Sequence, residues 1–337
     1  MIKRGKGIAI SYYGTGYGNG YPDVSNTKIK LNKEGKVEIF VGGTEVGQGA
    51  KTVFLQIAAE TLNTSIDDII LFSEDTSIMP DAGTAAASRQ TYNTGNAIKK
   101  ACEELSIKLK LIAKEILNLN TTEGLIVSNS SIYLSFYEEK KVSFLDIAKY
   151  LGENLLIIES NFIAQTVEMD LETGQGAPYW PYTFSACEVE VEVNTLTGVV
   201  NILSAKFAQD TGKAVNPNMI EGQMDGGFCM GLGFSLFEDL NIINGRIKND
   251  KLSKYLIPTS MDTVDIEKII IEDPEFTGPY GAKGIGEPVT IPVAPAILNA
   301  IYDAINVRIT DLPATPDKIV MAIKKDSKAE DKNGKID

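Results

Sequence analysis

The chain has 337 residues, which allows two or three compact units, and its 43% hydrophobic and 23% charged residues are ordinary for a globular protein. A formal net charge of −13 with scattered Lys and Arg residues argues against nucleic-acid binding, because a negative surface repels phosphate. The absence of histidine and the three distant cysteines exclude Ser-His or Cys-His catalysis, a disulfide framework and iron–sulfur or zinc spacings. With no apolar run near the roughly 20 residues of a membrane span, we expect a cytoplasmic protein without membrane contact.

Strand and helix patterns alternate through the first half of the chain. Residues 27–41 predict two strands around a polar turn, and residues 52–62 have the apolar spacing of a helix. Residues 42–49 therefore form a strand-to-helix loop, and the helix N-terminus can hold an anion. A buried strand over 68–72 and a long helix over 96–117 follow.

The rest of the chain predicts a second set of similar elements. Residues 119–165 contain short strands and a helix near 144–151, and the Gly- and Pro-rich segment 166–183 marks a boundary. A hairpin over 186–208, a helix over 217–236, strand-like segments at 251–257 and 268–271 and a helix over 294–305 come next. The expected fold is α+β, with two α+β subdomains at 1–165 and 166–324 and a charged, flexible tail at 325–337.

Three segments of small residues are candidates for ligand binding: 42–49, 83–91 and 281–288. Glycine and alanine let backbone N–H groups approach a ligand, so the first two segments predict a cradle for a phosphorylated cofactor. Their spacing matches neither a P-loop nor a dinucleotide fingerprint. Sharp turns without ligand contact are the alternative interpretation.

Glu287 is the candidate catalytic residue, because it lies between Gly286 and Pro288 on a constrained turn. Burial against a cofactor would suit its carboxylate to act as a general base, whereas a solvated loop glutamate is the alternative. Glu45 and Lys283 are interpreted as surface charges or local ion pairs. The tyrosines near the N-terminus, including Tyr12 and Tyr13, could line an aromatic pocket or pack at an edge.

Taken in order, these motifs resemble the xanthine dehydrogenase/aldehyde oxidase family in its second molybdopterin-binding domain. The resemblance runs from about Gly5 to Ile323. The segments that carry it are the loops around Gln48 and Ser88, Glu188 through Gly198, Asp210 through Pro217, Glu221-Gly222-Gln223, Gly231-Leu232-Gly233 and Gly286-Glu287-Pro288.

The resemblance implies a molybdenum hydroxylase site. It implies a molybdopterin cofactor, in the cytosine dinucleotide form of bacterial-type members, whose molybdenum is held by the pterin and by no protein side chain. Glu287 would be the catalytic base. The residues matching the cofactor-binding loops are Gly47, Gln48, Gly49, Ala87, Ser88, Gln90 and Thr91.

The resemblance also implies partner chains, since family molybdenum subunits are more than twice as long and carry most substrate contacts in a first half absent from this sequence. We expect a large molybdopterin subunit, an iron–sulfur subunit and an FAD subunit. In its Arg4-Gly5-Lys6-Gly7 start, its Ser88-Arg89-Gln90-Thr91 loop and its Ser253-Lys254-Tyr255 segment, the chain resembles nicotinate dehydrogenase-type members. That resemblance implies hydroxylation of an N-heteroaromatic substrate, nicotinate to 6-hydroxynicotinate, with water as the oxygen source. Two alternatives stay open: a split xanthine or purine dehydrogenase subunit, and a non-catalytic cofactor-binding scaffold.

Overall fold

The computed structural model describes residues 1–18 and 21–333, in which helices and strands alternate along the chain. The strands are β1 (Ile2–Gly14), β2 (Val24–Leu31), β3 (Val37–Val41), β4 (Ile69–Phe72), β5 (Leu125–Ser128), β6 (Ser131–Leu134), β7 (Tyr137–Ser143), β8 (Ile157–Ile163), β9 (Tyr182–Asn194), β10 (Val200–Asp210), β11 (Ile242–Ile243), β12 (Arg246–Ile247) and β13 (Ile266–Ile271). The helices are α1 (Ala50–Leu62), α2 (Gly95–Ile116), α3 (Phe144–Leu151), α4 (Pro217–Leu236), α5 (Val293–Ile305) and α6 (Pro316–Asn333). The predicted α+β class is confirmed.

The first unit is a sheet in the order β4-β3-β2-β8 covered by α1 and α2. Residues of β2 alternate between buried and half-buried, as expected for a strand with one face on a core. Phe54 of α1 and Ile98 of α2 are fully buried against Ile29 and Ile39 of the sheet. The hairpin strands β5, β6 and β7 and helix α3 extend the same core.

The second unit is a sheet in the order β1-β9-β10-β13, with α4 and α5 contributing to its core. Strand β1 lies close to α5, because a Cβ atom at Gly5 or Gly7 would stand 2.2–2.3 Å from carbonyl oxygens of that helix. Only glycine permits this distance between strand and helix backbones. The long hairpin of β9 and β10 has buried valines on one face and glutamates on the other.

Three features differ from the sequence-based expectations. Strand β1 pairs with β9 along its whole length, so residues 1–14 join the second sheet although the predicted division placed them in the first unit. The segment 251–257, predicted as a strand, forms turns in which the N–H groups of Lys254 and Tyr255 donate to the Lys251 carbonyl. The segment predicted as a tail is helical to Asn333, and its last four residues lie outside the described part. Its flexibility stays a prediction.

Among the described helices, none has both the length and the apolar character that crossing a membrane requires.

Candidate active site

The turn that carries Glu287 is fixed on both sides. Upstream, the Lys283 ammonium pairs with Asp210 at 2.8 Å, and both side chains are almost completely buried. Downstream, the Ser185 hydroxyl of β9 donates to the Pro288 carbonyl at 3.0 Å. Lys283 thus forms a buried ion pair, and its partner is in the sheet that supports the turn. These contacts hold the Glu287 backbone against the second sheet.

Glu287 is in direct contact with Ser88, a residue of the first unit. The Ser88 hydroxyl donates to the Glu287 carboxylate, and the Glu287 N–H donates to the Ser88 oxygen at 2.9 Å. A Cβ atom on Gly284 would lie 1.6 Å from the Ser88 carbonyl oxygen, so glycine is required for the two loops to meet. This reciprocal pair joins two of the three small-residue segments.

The backbone around Ser88 adopts an uncommon conformation. Ala87 and Ser88 have φ angles of 57° and 51°, in the left-handed region that non-glycine residues rarely occupy. Two such residues in succession are costly and persist only where the surroundings hold them, often at functional sites. The Gly16 N–H, which donates to the Ala87 carbonyl at 3.1 Å, is one of those restraints.

A fully buried guanidinium, that of Arg89, supplies the stronger restraint. It pairs with the buried carboxylate of Asp23 and donates to the carbonyls of Ala82 and Val24 at 2.6 Å each. The guanidinium also lies 4.9 Å from the centre of the Tyr17 ring. A rigid, multiply bonded Arg89 next to Ser88 holds the loop while the Ser88 side chain points at Glu287.

The Gln48 side chain folds back on its own loop and bonds to the neighbouring small-residue segment. Its amide oxygen accepts the Val46 N–H at 2.7 Å, and its amide nitrogen donates to the Thr44 carbonyl and to the Gln90 side chain, each at 2.8 Å. Gln48 therefore lies next to Gln90, two residues from Ser88. Thr91 follows in the π-helical turn before α2 and is half-buried.

Glu45 has a role that sequence reasoning missed. Its carboxylate accepts the N–H groups of Gly47, Gly49 and Lys51 at 2.8, 2.9 and 3.1 Å, at the start of α1. Burial would raise the pKa of Glu45, but the N–H donors, with the charge of Lys51 beside them, outweigh it and lower the pKa. In this structure an internal carboxylate accepts the N–H groups that the predicted phosphate cradle would use, so a cradle at this helix terminus stays a prediction.

Tyr13 of β1 is a second residue whose role the sequence left open. Its half-buried phenol lies beside Ser88 and Glu287. Burial, followed by the negative charge of Glu287, raises the pKa of Tyr13 to about 12. The phenol is thus protonated at neutral pH and available as a donor. Its position on strand β1, whose pairing the sequence did not reveal, is the reason that it was not predicted.

The surroundings of this group are small and open. Thr84, Ala85 and Ala86 are exposed and small, and a Cβ atom on Gly47 would meet nothing within 4 Å. Gly49, in contrast, packs against Met219, and its N–H, like that of Gly47, donates to Glu45; its predicted cofactor contact stays a prediction. In the described part of the chain, no group of three or more Cys, Asp or Glu side chains could hold a metal ion. The loop before Ser88 thus presents small, exposed side chains to any ligand that binds there.

Comparisons with known proteins agree with these features. A family model described as a molybdopterin cofactor-binding domain matches residues 1–264. The chain is 33% identical over 322 residues to a probable xanthine dehydrogenase subunit from Bacillus subtilis, covering 96% of this chain and 42% of that protein. The structure of the aldehyde oxidoreductase from Desulfovibrio desulfuricans ATCC 27774 matches 95% of this chain and 32% of its own, with a TM-score of 0.78 and 30% identity. Quinoline 2-oxidoreductase from Pseudomonas putida 86 matches 96% of this chain and 42% of its own, with a TM-score of 0.83, and at 22% identity shows a shared fold.

The chain therefore belongs to the molybdopterin cofactor-binding domain family. Its relatives confirm the predicted resemblance to the xanthine dehydrogenase/aldehyde oxidase group of molybdenum hydroxylases. The chain spans about 42% of the length of the first curated relatives that it matches.

Proposed function

We propose that the chain is a molybdopterin-binding subunit of a heteromeric molybdenum hydroxylase and supplies Glu287 as its general base. The observation that carries the proposal is the reciprocal bonding of Ser88 and Glu287, which unites a loop of the first unit with a loop of the second. A solvated surface glutamate would not need a glycine at 284 and a left-handed serine to receive it.

The residues of this chain can position one group that takes up and releases a proton, the Glu287 carboxylate. The Glu287 carboxylate is half-buried, so one side is oriented by protein donors while the side chain keeps access to a ligand. Ser88 orients it by a hydrogen bond, and the protonated Tyr13 lies beside it. The molybdenum group, when bound, supplies the two-electron redox chemistry that hydroxylates a carbon with oxygen from water.

We assign the cofactor contacts to the loops around Gln48 and Ser88. Gly47, Gln48, Ala87, Ser88, Gln90 and Thr91 match the family's cofactor-binding segments in position. The small exposed residues before Ser88 and the contact of Gln48 with Gln90 support this assignment. The cytosine dinucleotide form of the cofactor is part of the proposal.

We propose that the substrate is an N-heteroaromatic compound, with nicotinate and its conversion to 6-hydroxynicotinate as the leading choice. The support is the likeness to nicotinate dehydrogenase-type members, carried by the Ser88-Arg89-Gln90-Thr91 loop and the segment around Lys254. The partners would be a large molybdopterin subunit with most substrate contacts, and iron–sulfur and FAD subunits that remove electrons.

A second candidate is a xanthine or purine dehydrogenase of the same divided design. The 33% identity to a protein named as a probable xanthine dehydrogenase subunit favours it. A non-catalytic scaffold is a weaker candidate, because the organised Glu287, Ser88 and Tyr13 group would then have no use.

The test is an activity assay on the native complex recovered through a tag on this chain. Nicotinate and xanthine are compared as reductants of an artificial dye, with molybdenum content measured in the same sample. Preference for nicotinate supports the leading substrate, and preference for xanthine selects the second candidate. A molybdenum-replete complex inactive toward both would contradict the proposed reaction.

A further inference from the structure

The outward face of the second sheet has a charged half and an apolar half. Even-numbered residues of β1 point outward, since Gly5 and Gly7 face α5. Near the start of β1 this face carries matched charges that suit contact with water. The pairs are Arg4–Glu192 and Lys6–Glu190 at 3.6 Å each and Lys206–Glu267 at 3.0 Å.

The other half of the face, toward Glu287, is apolar and open. Ile10, Tyr12 and Phe184 are 79%, 65% and 52% exposed. The rings of Tyr12 and Phe184 lie 5.1 Å apart, and the strand register places the two residues opposite each other. The register also defines one apolar row across all four strands: Ile10, Ala186, Ala208 and Ile269. Contiguous exposed apolar side chains of this kind mark interaction sites.

The hydrogen bonding of the free edge of β1 changes at the boundary between the charged half and the apolar half. Near the start of β1, side chains of α5 form hydrogen bonds with the backbone groups at this edge. Asp303 accepts the Lys6 N–H at 2.8 Å, and Asn299 donates to the Ile8 carbonyl at 3.0 Å. The pattern of antiparallel pairing directs the backbone groups of Ile10 and Tyr12 to the same edge. Within residues 1–18 and 21–333, α5 gives no such partner beyond Ile8. The apolar half therefore has an open face and an open edge.

We propose that this apolar half, defined by Ile10, Tyr12, Phe184, Ile269 and Ile271, is the docking surface for the large molybdopterin subunit. The inference rests on the proposed function. More than half of the length of the curated relatives lies outside the part that this chain matches, so the family fold includes further polypeptide that must pack against it. An apolar face beside the site is where that polypeptide gains most by packing.

Charge disfavours the other occupants. A second copy of this chain would bring two net charges of −13 together, and an anionic membrane would repel the same charge. The surface is also continuous with the site, because Tyr12 on one face of β1 precedes Tyr13, which contacts Glu287 on the other.

The experiment places a photo-crosslinking amino acid at Ile10 in the tagged, native complex. Lys6, on the same strand and face but in the charged half, is the matched control position. The expected result is a crosslink from position 10 to the molybdenum-containing partner chain, at least tenfold more abundant than from position 6. A crosslink to a second copy of this chain, equal yields at both positions or no crosslink from position 10 would overturn the proposal.

Partner recovery with Ile10→Lys is the second measurement, with Met261→Lys as control because Met261 is 90% exposed elsewhere on the chain. Ile10→Lys should reduce recovery of the partner at least tenfold with an unchanged melting temperature of the chain, and Met261→Lys should leave recovery unchanged. Equal effects of both variants would refute the inference. A wild-type complex that crosslinks as expected but hydroxylates neither nicotinate nor xanthine would refute the proposed function instead.

Discussion

Replacing Ser88 by alanine removes the hydroxyl that holds the Glu287 carboxylate and leaves the rest of the loop in place. A hydrogen bond to a charged group contributes roughly 1.5–3 kcal/mol, and each ~1.4 kcal/mol corresponds to a tenfold rate change. Because the bond orients the proposed base, Ser88→Ala should lower kcat/KM about 10- to 100-fold. The assay is steady-state dye reduction by the purified complex, with molybdenum content measured in parallel.

Ser88→Gly is the matched control, because it removes the same hydroxyl but tolerates the φ angle of 51°. A left-handed residue with a side chain costs roughly 1–2 kcal/mol, so the glycine variant should unfold at a higher urea concentration than the alanine variant. Both variants should lose the same activity. Wild-type rates in Ser88→Ala, or recovery of the rate in Ser88→Gly, would refute the assigned role of the hydroxyl.

Three further changes test the surroundings of the site. Glu287→Gln should lower the pKa of Tyr13 below about 12, although burial keeps it above 10, as read from the ultraviolet absorbance of the phenolate during alkaline titration. Asp23→Asn leaves the buried guanidinium of Arg89 unpaired and should reduce the free energy of unfolding by roughly 3–5 kcal/mol in urea titrations. Gly284→Ala should cost roughly 1–3 kcal/mol and most of the activity, because its Cβ would overlap the loop that meets Glu287.

Each change has a control in the same chain. Tyr13→Phe should remove the affected transition from the alkaline titration. Lys33→Ala removes an exposed ion pair with Glu153 and should leave unfolding unchanged, in contrast to Asp23→Asn. Gly222→Ala, on helix α4 where a Cβ meets nothing within 4 Å, should stabilise by up to about 1 kcal/mol. An unchanged titration in Tyr13→Phe would contradict the assignment of the transition to Tyr13. Equal changes in the free energy of unfolding for Asp23→Asn and Lys33→Ala, or for Gly284→Ala and Gly222→Ala, would contradict the reasoning on stability.

The long helices were predictable from sequence, whereas strand β1 was not. Helices α3 and α4 begin and end at the predicted residues, and local capping residues, Ser143 and Asn216, mark where they start. On β1 the inward residues include Gly5, Gly7 and Ser11, which contribute no apolar alternation. Their small size is needed because another helix lies against them, and that contact is not visible in a local pattern.

The candidate site was predictable in part. The turn around Glu287 and the loop around Ser88 are distinctive in composition, and the structure brings them together. The role of Glu45 was missed because its partners are backbone N–H groups, which any residue offers. The contact of Tyr13 with Glu287 depends on strand pairing between residues far apart in sequence, such as Tyr13 with Thr183, which are 170 positions apart. Such pairing has no local signal.

The most direct test of the central claim is Glu287→Gln in the native complex. The glutamine has the same shape and still accepts a hydrogen bond from Ser88, but it cannot take up a proton. We predict that turnover of the preferred substrate falls by several orders of magnitude while molybdenum content and partner chains are retained. Near-normal turnover by a molybdenum-replete Glu287→Gln complex would contradict the assignment of Glu287 as the catalytic base.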